Sequence, residues 1–204
     1  MNQKTNIKKP LIILASGSSS RKKQLQNLGF DFIVKPSGID EDSYKKLNSP
    51  KEEICSKIAQ AKVKKVATEH PHDLILGGDQ MAVLDSKIFN KTSSPKEAIK
   101  ALMKLQGRSH KLLTAISMQY KEKSFDHLIV NKMTMRPLTK QQITNYVKLA
   151  KPLNCAGSYA LERYGIALFE KIETEDQSAV IGFPLITLIN QLVKWNIPLP
   201  ITLA

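Results

Sequence analysis

The sequence predicts a single α/β domain around a mixed β-sheet. Short apolar runs of strand length alternate with stretches of helical period. Capping signatures stand in front of three of those stretches. Two strand-like runs follow one another without a helix between them, which asks for antiparallel pairing and excludes a strictly doubly wound sheet.

Residues 11–15 form the first apolar run, read as a buried strand, and the small-residue turn Ser16-Gly17-Ser18-Ser19-Ser20 follows. Residues 21–28 read as a helix with Leu25 and Leu28 inward and Gly29 as its stop. Residues 30–34 read as a second strand, closed by a turn over 36–38. Ser49-Pro50-Lys51-Glu52 reads as a capping box with proline at the first helical position, opening a helix to about Glu69. Two strands, 74–76 and 81–84, are expected on either side of Gly77-Gly78-Asp79. Ser94-Pro95-Lys96-Glu97 opens a helix that Gly107 ends. Residues 112–120 and 127–135 read as the antiparallel pair, with Met133 and Met135 in the core. Thr139-Lys140-Gln141-Gln142 caps a further helix ending near Pro152, residues 164–172 read as a strand, and 184–195 as a last amphipathic helix.

At 204 residues the chain fits one large domain or two small lobes. Apolar residues at 42% exclude disorder as its main state. No apolar run reaches the ~18 residues of a membrane span, and the N-terminal apolar run is too short for an export signal. Cys55 and Cys155 alone exclude a disulfide scaffold and a structural zinc site, so a cytoplasmic setting is expected. Thirty-one basic residues against eighteen acidic ones give a net charge of +13, which suits a phosphorylated or polyanionic partner. The lysines are dispersed and aromatics make up only 6%, which disfavours a nucleic-acid-binding surface.

Several residues stand out chemically. The turn around Ser18, Ser20 and Arg21 lies between a strand and a helix, where helix amides, hydroxyls and a guanidinium suit an anion, although it lacks the Gly-Lys-Ser/Thr of a Walker loop. Asp40-Glu41-Asp42 is the one run of three acids and offers oxygen ligands for a hard cation. Lys62 falls in the apolar stripe of Ile54, Ile58 and Val66, so it either snorkels or serves an interior site. Asp79, after an apolar strand and two glycines, suits a metal ligand or general base. Lys91 reads from spacing as one lysine among many. His70, His72, His110 and His127 show no metalloprotease spacing and no nucleophile partner.

Taken in order, the segments LIILASGSSSR, GIDE, AQAK, LILGGDQMAVLD, LMKLQGRSHKLLTA, YVKLAKPLNCAGSYALERYGIALFEKI and VIGFPL resemble the Maf family of nucleoside triphosphate pyrophosphatases. The resemblance runs from Leu11 to about Trp195. It implies an elongated, two-lobed, Maf/ITPase-like domain over residues 11–204, with a deep cleft and a flexible extension over 1–10. It implies cleavage between the α- and β-phosphates to a nucleoside monophosphate and pyrophosphate, with Mg²⁺ or Mn²⁺, and homodimers are common in the family. Ser18, Arg21, Lys62 and Lys91 would contact the triphosphate. Glu41 and Asp79 would act at the metal, with Asp79 the proton acceptor.

Gly78-Asp79-Gln80, Asn154-Cys155-Ala156-Gly157-Ser158 and Glu162 resemble the branch acting on 7-methyl-GTP, with Ser20, Gln80 and Glu162 on the substrate. The thymidine/uridine branch usually has threonine in place of Gln80 and glutamine in place of Glu162. Two departures stand out: the methylguanosine branch often has tryptophan where this chain has Ser20, and the family's Lys-Pro is Lys91-Thr92 here. A dTTP/UTP pyrophosphatase of the same family, a basic nucleic-acid binder and a nucleotide binder without turnover are the competing readings. The acids Glu41 and Asp79 argue against the last, because a pure triphosphate binder gains little from carboxylates that hold no metal.

Overall fold

The computed structural model describes residues 10–202, so the expected N-terminal extension lies, but for Pro10, outside the described residues. Seven strands and six helices follow in the order β1 (Ile12–Leu14), α1 (Ser19–Asn27), β2 (Phe32–Val34), α2 (Glu41–Lys45), α3 (Lys51–Ala67), β3 (Leu74–Leu84), β4 (Lys87–Phe89), α4 (Pro95–Leu105), β5 (Ser109–Tyr120), β6 (Lys123–Met135), α5 (Lys140–Ala150), β7 (Phe169–Glu173) and α6 (Leu185–Lys194). The strands make one sheet ordered β2-β1-β3-β5-β6-β7, with β4 paired to β3. β1 runs parallel to β2 and β3, and the other pairs are antiparallel. The expected mixed sheet is therefore present. Among the described residues no helix is long and apolar enough to cross a membrane.

Helix α3 covers one face of the sheet. Its Ile54, Ile58, Val63 and Val66 pack on Ile13, Ile75, Met81 and Leu113. The other face carries two separate apolar clusters. Near the parallel end, Leu25 of α1 and Leu188 and Leu192 of α6 join Phe183 over Leu14, Leu76 and Ile116. Near the other end, Leu102 and Leu105 of α4 and Ile143 and Val147 of α5 pack on Leu84, Leu112 and Met133. A polar seam lies between them. Gln80 Nε2 donates to Thr114 Oγ1 at 3.1 Å, Asn131 Nδ2 donates to the same hydroxyl at 3.3 Å, and Thr114 Oγ1 donates to the Ala179 carbonyl at 3.0 Å. Three polar side chains in the middle of an apolar face divide the core, and this division gives the two lobes.

Three expectations change. β3 is unbroken from Leu74 to Leu84, so Gly77-Gly78-Asp79 is strand, not a turn. The glycines serve packing: a Cβ on Gly77 would stand 2.5 Å from Val63 Cγ2, and one on Gly78 would stand 2.7 Å from Phe183 and 2.8 Å from the Ala115 carbonyl. The capping box at Ser49 does not form. Pro50 itself is the N-cap, without a side-chain hydrogen bond, and it has no N–H to return to a carboxylate, while Glu52 pairs across to Lys111 at 2.9 Å. The strand expected from Tyr164 begins only at Phe169. Tyr164 is left-handed at φ 60° and Gly165 is pressed against the Ala160 carbonyl, so the chain turns back there and runs on through a short 3-10 segment, Gly165–Leu168. The acid run opens a short helix, with Asp40 as N-cap accepting from the amides of Asp42 and Ser43. The boxes at Ser94 and Thr139 behave differently from Ser49: both hydroxyls cap their helices, and Thr139 and Gln142 complete the reciprocal pair.

His110 on β5 is 3% exposed and lies against the Tyr159 and Phe169 rings, with Nε2 2.9 Å from Tyr159 Oη. Burial pushes its pKa down to about 4. The fold therefore holds it neutral. The stability this represents is complete above its unfolded value of about 6.5 and is lost as pH falls from there through about 4. Urea unfolding at pH 7.5 and pH 4.5 should show wild type losing about 2–3 kcal/mol more than His110→Phe. Equal losses in the two proteins would assign the acid sensitivity to other groups.

Candidate active site

A cleft of about 600 Å³ opens between the lobes, and all nine site residues expected from the sequence line it: Ser18, Ser20, Arg21, Glu41, Lys62, Asp79, Gln80, Lys91 and Glu162. They arrive from separate elements. Ser18 is the N-cap of α1, its hydroxyl accepting from the Arg21 amide, so the amino end of that helix faces the cleft. Glu41 opens α2, and Asp42 turns away to pair with Lys45 at 2.9 Å, so only the middle acid of the run enters the site. Lys62 comes from the apolar stripe of α3 and Asp79 from the middle of β3.

The centre of the site is an ion cluster. Lys62 Nζ lies 2.8 Å from Glu41 Oε1 and 2.9 Å from Asp79 Oδ1, and it donates to the Gly78 carbonyl at 3.3 Å. Lys62 and Asp79 are buried and Glu41 is half-buried. Burial alone would raise the Glu41 carboxyl, but the charge and hydrogen bond of Lys62, helped by Lys91 and Lys45, bring its pKa below the usual carboxylate value. Lys91 is exposed to the cleft. The lysine of α3 thus serves an interior site and does not snorkel.

The remaining residues divide into those that face the cleft and those that build its wall. Arg21 is 6% exposed. Its Nε donates to the Gly182 carbonyl at 3.1 Å, Nη1 to Ser16 Oγ at 3.1 Å, and the guanidinium lies 5.3 Å from the Phe183 ring centroid. Burial lowers its pKa, with the charge of Asp79 opposing. Arg21 therefore fixes the Gly182 wall as well as lining the cleft. Gln80 is similarly committed, its amide nitrogen donating to Thr114 and to the Ala179 carbonyl at 2.9 Å. Glu162 enters from the turn before Gly165 and accepts from Ser20 Oγ at 3.1 Å, while the neighbouring Arg163 reaches Cys155 Sγ at 3.6 Å.

Nothing in the sequence pattern marks the rest of the wall. Gln24 donates to the Ser178 and Phe183 carbonyls and accepts from the Phe183 amide. Asp176 is buried and accepts from the Ser178 and Ile186 amides, joining the cleft wall to the start of α6. Asn131 holds Thr174 Oγ1 at 2.6 Å. The one available signal is an isolated polar residue inside an apolar strand, at Thr114 and Asn131.

Among the described residues no group of three or more His, Cys, Asp or Glu converges as a metal site. The donor set still suits a hard divalent cation: Glu41 and Asp79 converge on one ammonium, and Mg²⁺ is held by one or two carboxylates together with substrate phosphates.

Residues 11–195 match the family described as Maf-like protein. The chain belongs to the Maf family. A 7-methyl-GTP pyrophosphatase of Bdellovibrio bacteriovorus is 35% identical over 177 residues, covering 87% of this chain and 93% of that protein. A nucleoside triphosphate pyrophosphatase of Acinetobacter baylyi is 32% identical over 194 residues, covering 93% and 97%. Among solved structures, a nucleoside-triphosphatase/dITP/XTP pyrophosphatase of Mycobacterium abscessus aligns at 8% identity with a TM-score of 0.42, over 92% of this chain and 99% of that one. The Maf Lys-Pro departure at Lys91-Thr92 has a local compensation. Thr92 Oγ1 lies 3.0 Å from Ser158 Oγ, and the Thr92 carbonyl accepts from the Asn154 amide at 3.1 Å, so the residue after Lys91 is anchored without proline.

Proposed function

We infer that this Maf-family nucleoside triphosphate pyrophosphatase acts on 7-methyl-GTP, cleaving the α–β phosphoanhydride to 7-methyl-GMP and pyrophosphate. The observation that carries the base preference is the Glu162 carboxylate, which enters the cleft with a neutral serine as its hydrogen-bond partner. Guanine offers N1–H and the N2 amino group side by side, and a carboxylate accepts both. Methylation at N7 makes the base cationic and strengthens that attraction. Thymine and uracil place carbonyls beside their single N–H, and these would face an acidic oxygen. The relatives named as 7-methyl-GTP pyrophosphatases support the same reading at 32–37% identity.

The chemistry needs charge neutralisation around a phosphorus flanked by negative oxygens. The amino end of α1, Lys91 and Lys62 bind and orient the triphosphate, and Arg21 holds the Gly182 wall against it. Glu41 and Asp79 would hold Mg²⁺ or Mn²⁺, which supplies further neutralisation and makes water more acidic. Asp79 accepts the proton of the attacking water.

The test is kcat/KM for 7-methyl-GTP, GTP, UTP and dTTP in wild type and Glu162→Gln, read as pyrophosphate release. Wild type should prefer 7-methyl-GTP. Glu162→Gln should lose roughly ten- to a hundredfold of that preference, the 1–3 kcal/mol of a lost hydrogen bond to a charged group. Wild-type preference for dTTP or UTP, or a profile untouched by the substitution, would reject the assignment.

A further inference from the structure

An ammonium has three N–H donors, and Lys62 has an acceptor for each: Glu41 Oε1, Asp79 Oδ1 and the Gly78 carbonyl. Its side chain is 6% exposed. Two carboxylates that share this ammonium carry one net negative charge as a group, not two. A divalent ion entering there would meet a resident cation, and it could stay only if Lys62 gave up its partners. An ammonium left buried without partners is costly. A triphosphate removes that cost, because its oxygens give the displaced ammonium a new anionic partner.

We propose that Lys62 is a built-in counter-cation that closes the Glu41–Asp79 pair to divalent ions in the free protein, so that metal and triphosphate bind together or not at all. The inference rests on the divalent-ion role given above to Glu41 and Asp79. It adds an order of events. Nucleotide draws the Lys62 ammonium off the carboxylates, and the vacated pair then has the charge to hold the ion. By linkage, the ion raises nucleotide affinity by the same factor. Lys91 does not replace Lys62 in this role, since it is solvent-exposed, whereas Lys62 is buried between the two acids.

Mn²⁺ binding, read by water-proton relaxation enhancement, tests this without turnover. Wild type with Mn²⁺ alone should show little enhancement. Adding α,β-methylene-GTP or α,β-methylene-dTTP should produce it, whichever base the enzyme prefers. Lys62→Met should bind Mn²⁺ without nucleotide at least about tenfold more tightly than wild type, as expected when a charge a few ångströms away is removed. Lys62→Met/Asp79→Asn should lose that gain. If Lys62→Met is too unstable to assay, the nucleotide requirement of wild type decides alone. Tight Mn²⁺ binding by free wild type, equal binding by Lys62→Met, or a gain that survives Asp79→Asn would overturn the proposal. Absence of pyrophosphate release from every nucleotide would instead overturn the functional reading, leaving the Mn²⁺ comparison to judge the counter-cation.

Discussion

Asp79→Asn should lower kcat for pyrophosphate release by roughly 10²–10⁴-fold, the loss that follows removal of a general base. The substitution keeps the size and planarity of the side chain. It also leaves Lys62 with Glu41 at 2.8 Å and the Gly78 carbonyl at 3.3 Å, so the ammonium stays paired and the fold should persist. Asp79 sits in the middle of an eleven-residue strand, paired there with Ala115 of β5, which holds its carboxylate rigidly against α3. A strand-borne base is well placed for the positional accuracy that proton transfer demands. Single-turnover kinetics with a circular dichroism check would decide the matter. A folded Asp79→Asn protein within threefold of wild-type turnover would remove Asp79 from the proton-transfer role.

Gly78→Ala should destabilise the protein by about 1–3 kcal/mol or more, the cost of overpacking a filled site. The added methyl would lie 2.7 Å from Phe183 Cε1 and 2.8 Å from the Ala115 carbonyl. The ring could rotate aside, but the carbonyl belongs to the register partner of Asp79 on β5 and cannot move without opening the ladder. For a chain of this size the melting temperature should fall by about 2–4 °C per kcal/mol. Gly17→Ala is the control, because a Cβ there meets only Pro36 Cγ, at an ordinary 3.8 Å. Thermal unfolding of the two variants should separate them clearly, and equal melting temperatures would show that the strand gives way locally.

Much of this architecture is legible in the chain, and the exceptions have physical causes. The first strand, the helices after Ser94 and Thr139, and the antiparallel β5–β6 pair follow from local pattern, because their determinants are neighbours in sequence. The Gly77-Gly78 pair reads as a break because glycine in a strand interior usually is one. What keeps it extended is the ladder to β5, and what requires glycine is the bulk of Val63 and Phe183, all from elsewhere in the chain. Lys62 and Asp79 are legible because a charge inside an apolar pattern is costly unless it has work to do. Gln80 reads as a substrate contact, yet its amide nitrogen is spent on the seam. Gln24 and Asp176 are silent because a single polar side chain has no period, and its partners appear only once the lobes are placed.

The hydrogen bonds that close the cleft join distant parts of the chain. Ser20 and Glu162 are 142 positions apart, Gln24 and Phe183 159, and Arg21 and Gly182 161. The β5–β6 hairpin, by contrast, pairs Tyr120 with Lys123. Loop-closure entropy opposes long-range contacts until the intervening chain is organised, so the hairpin can form early while the cleft waits for nearly everything else. A partly folded chain therefore lacks the closed cleft, although the Lys62–Asp79 pair at its centre spans only 17 positions. The same wiring makes ligand binding a test of the whole molecule: a nucleotide at a hundred times its Kd should stabilise the entire fold by about 2.7 kcal/mol, not one lobe alone.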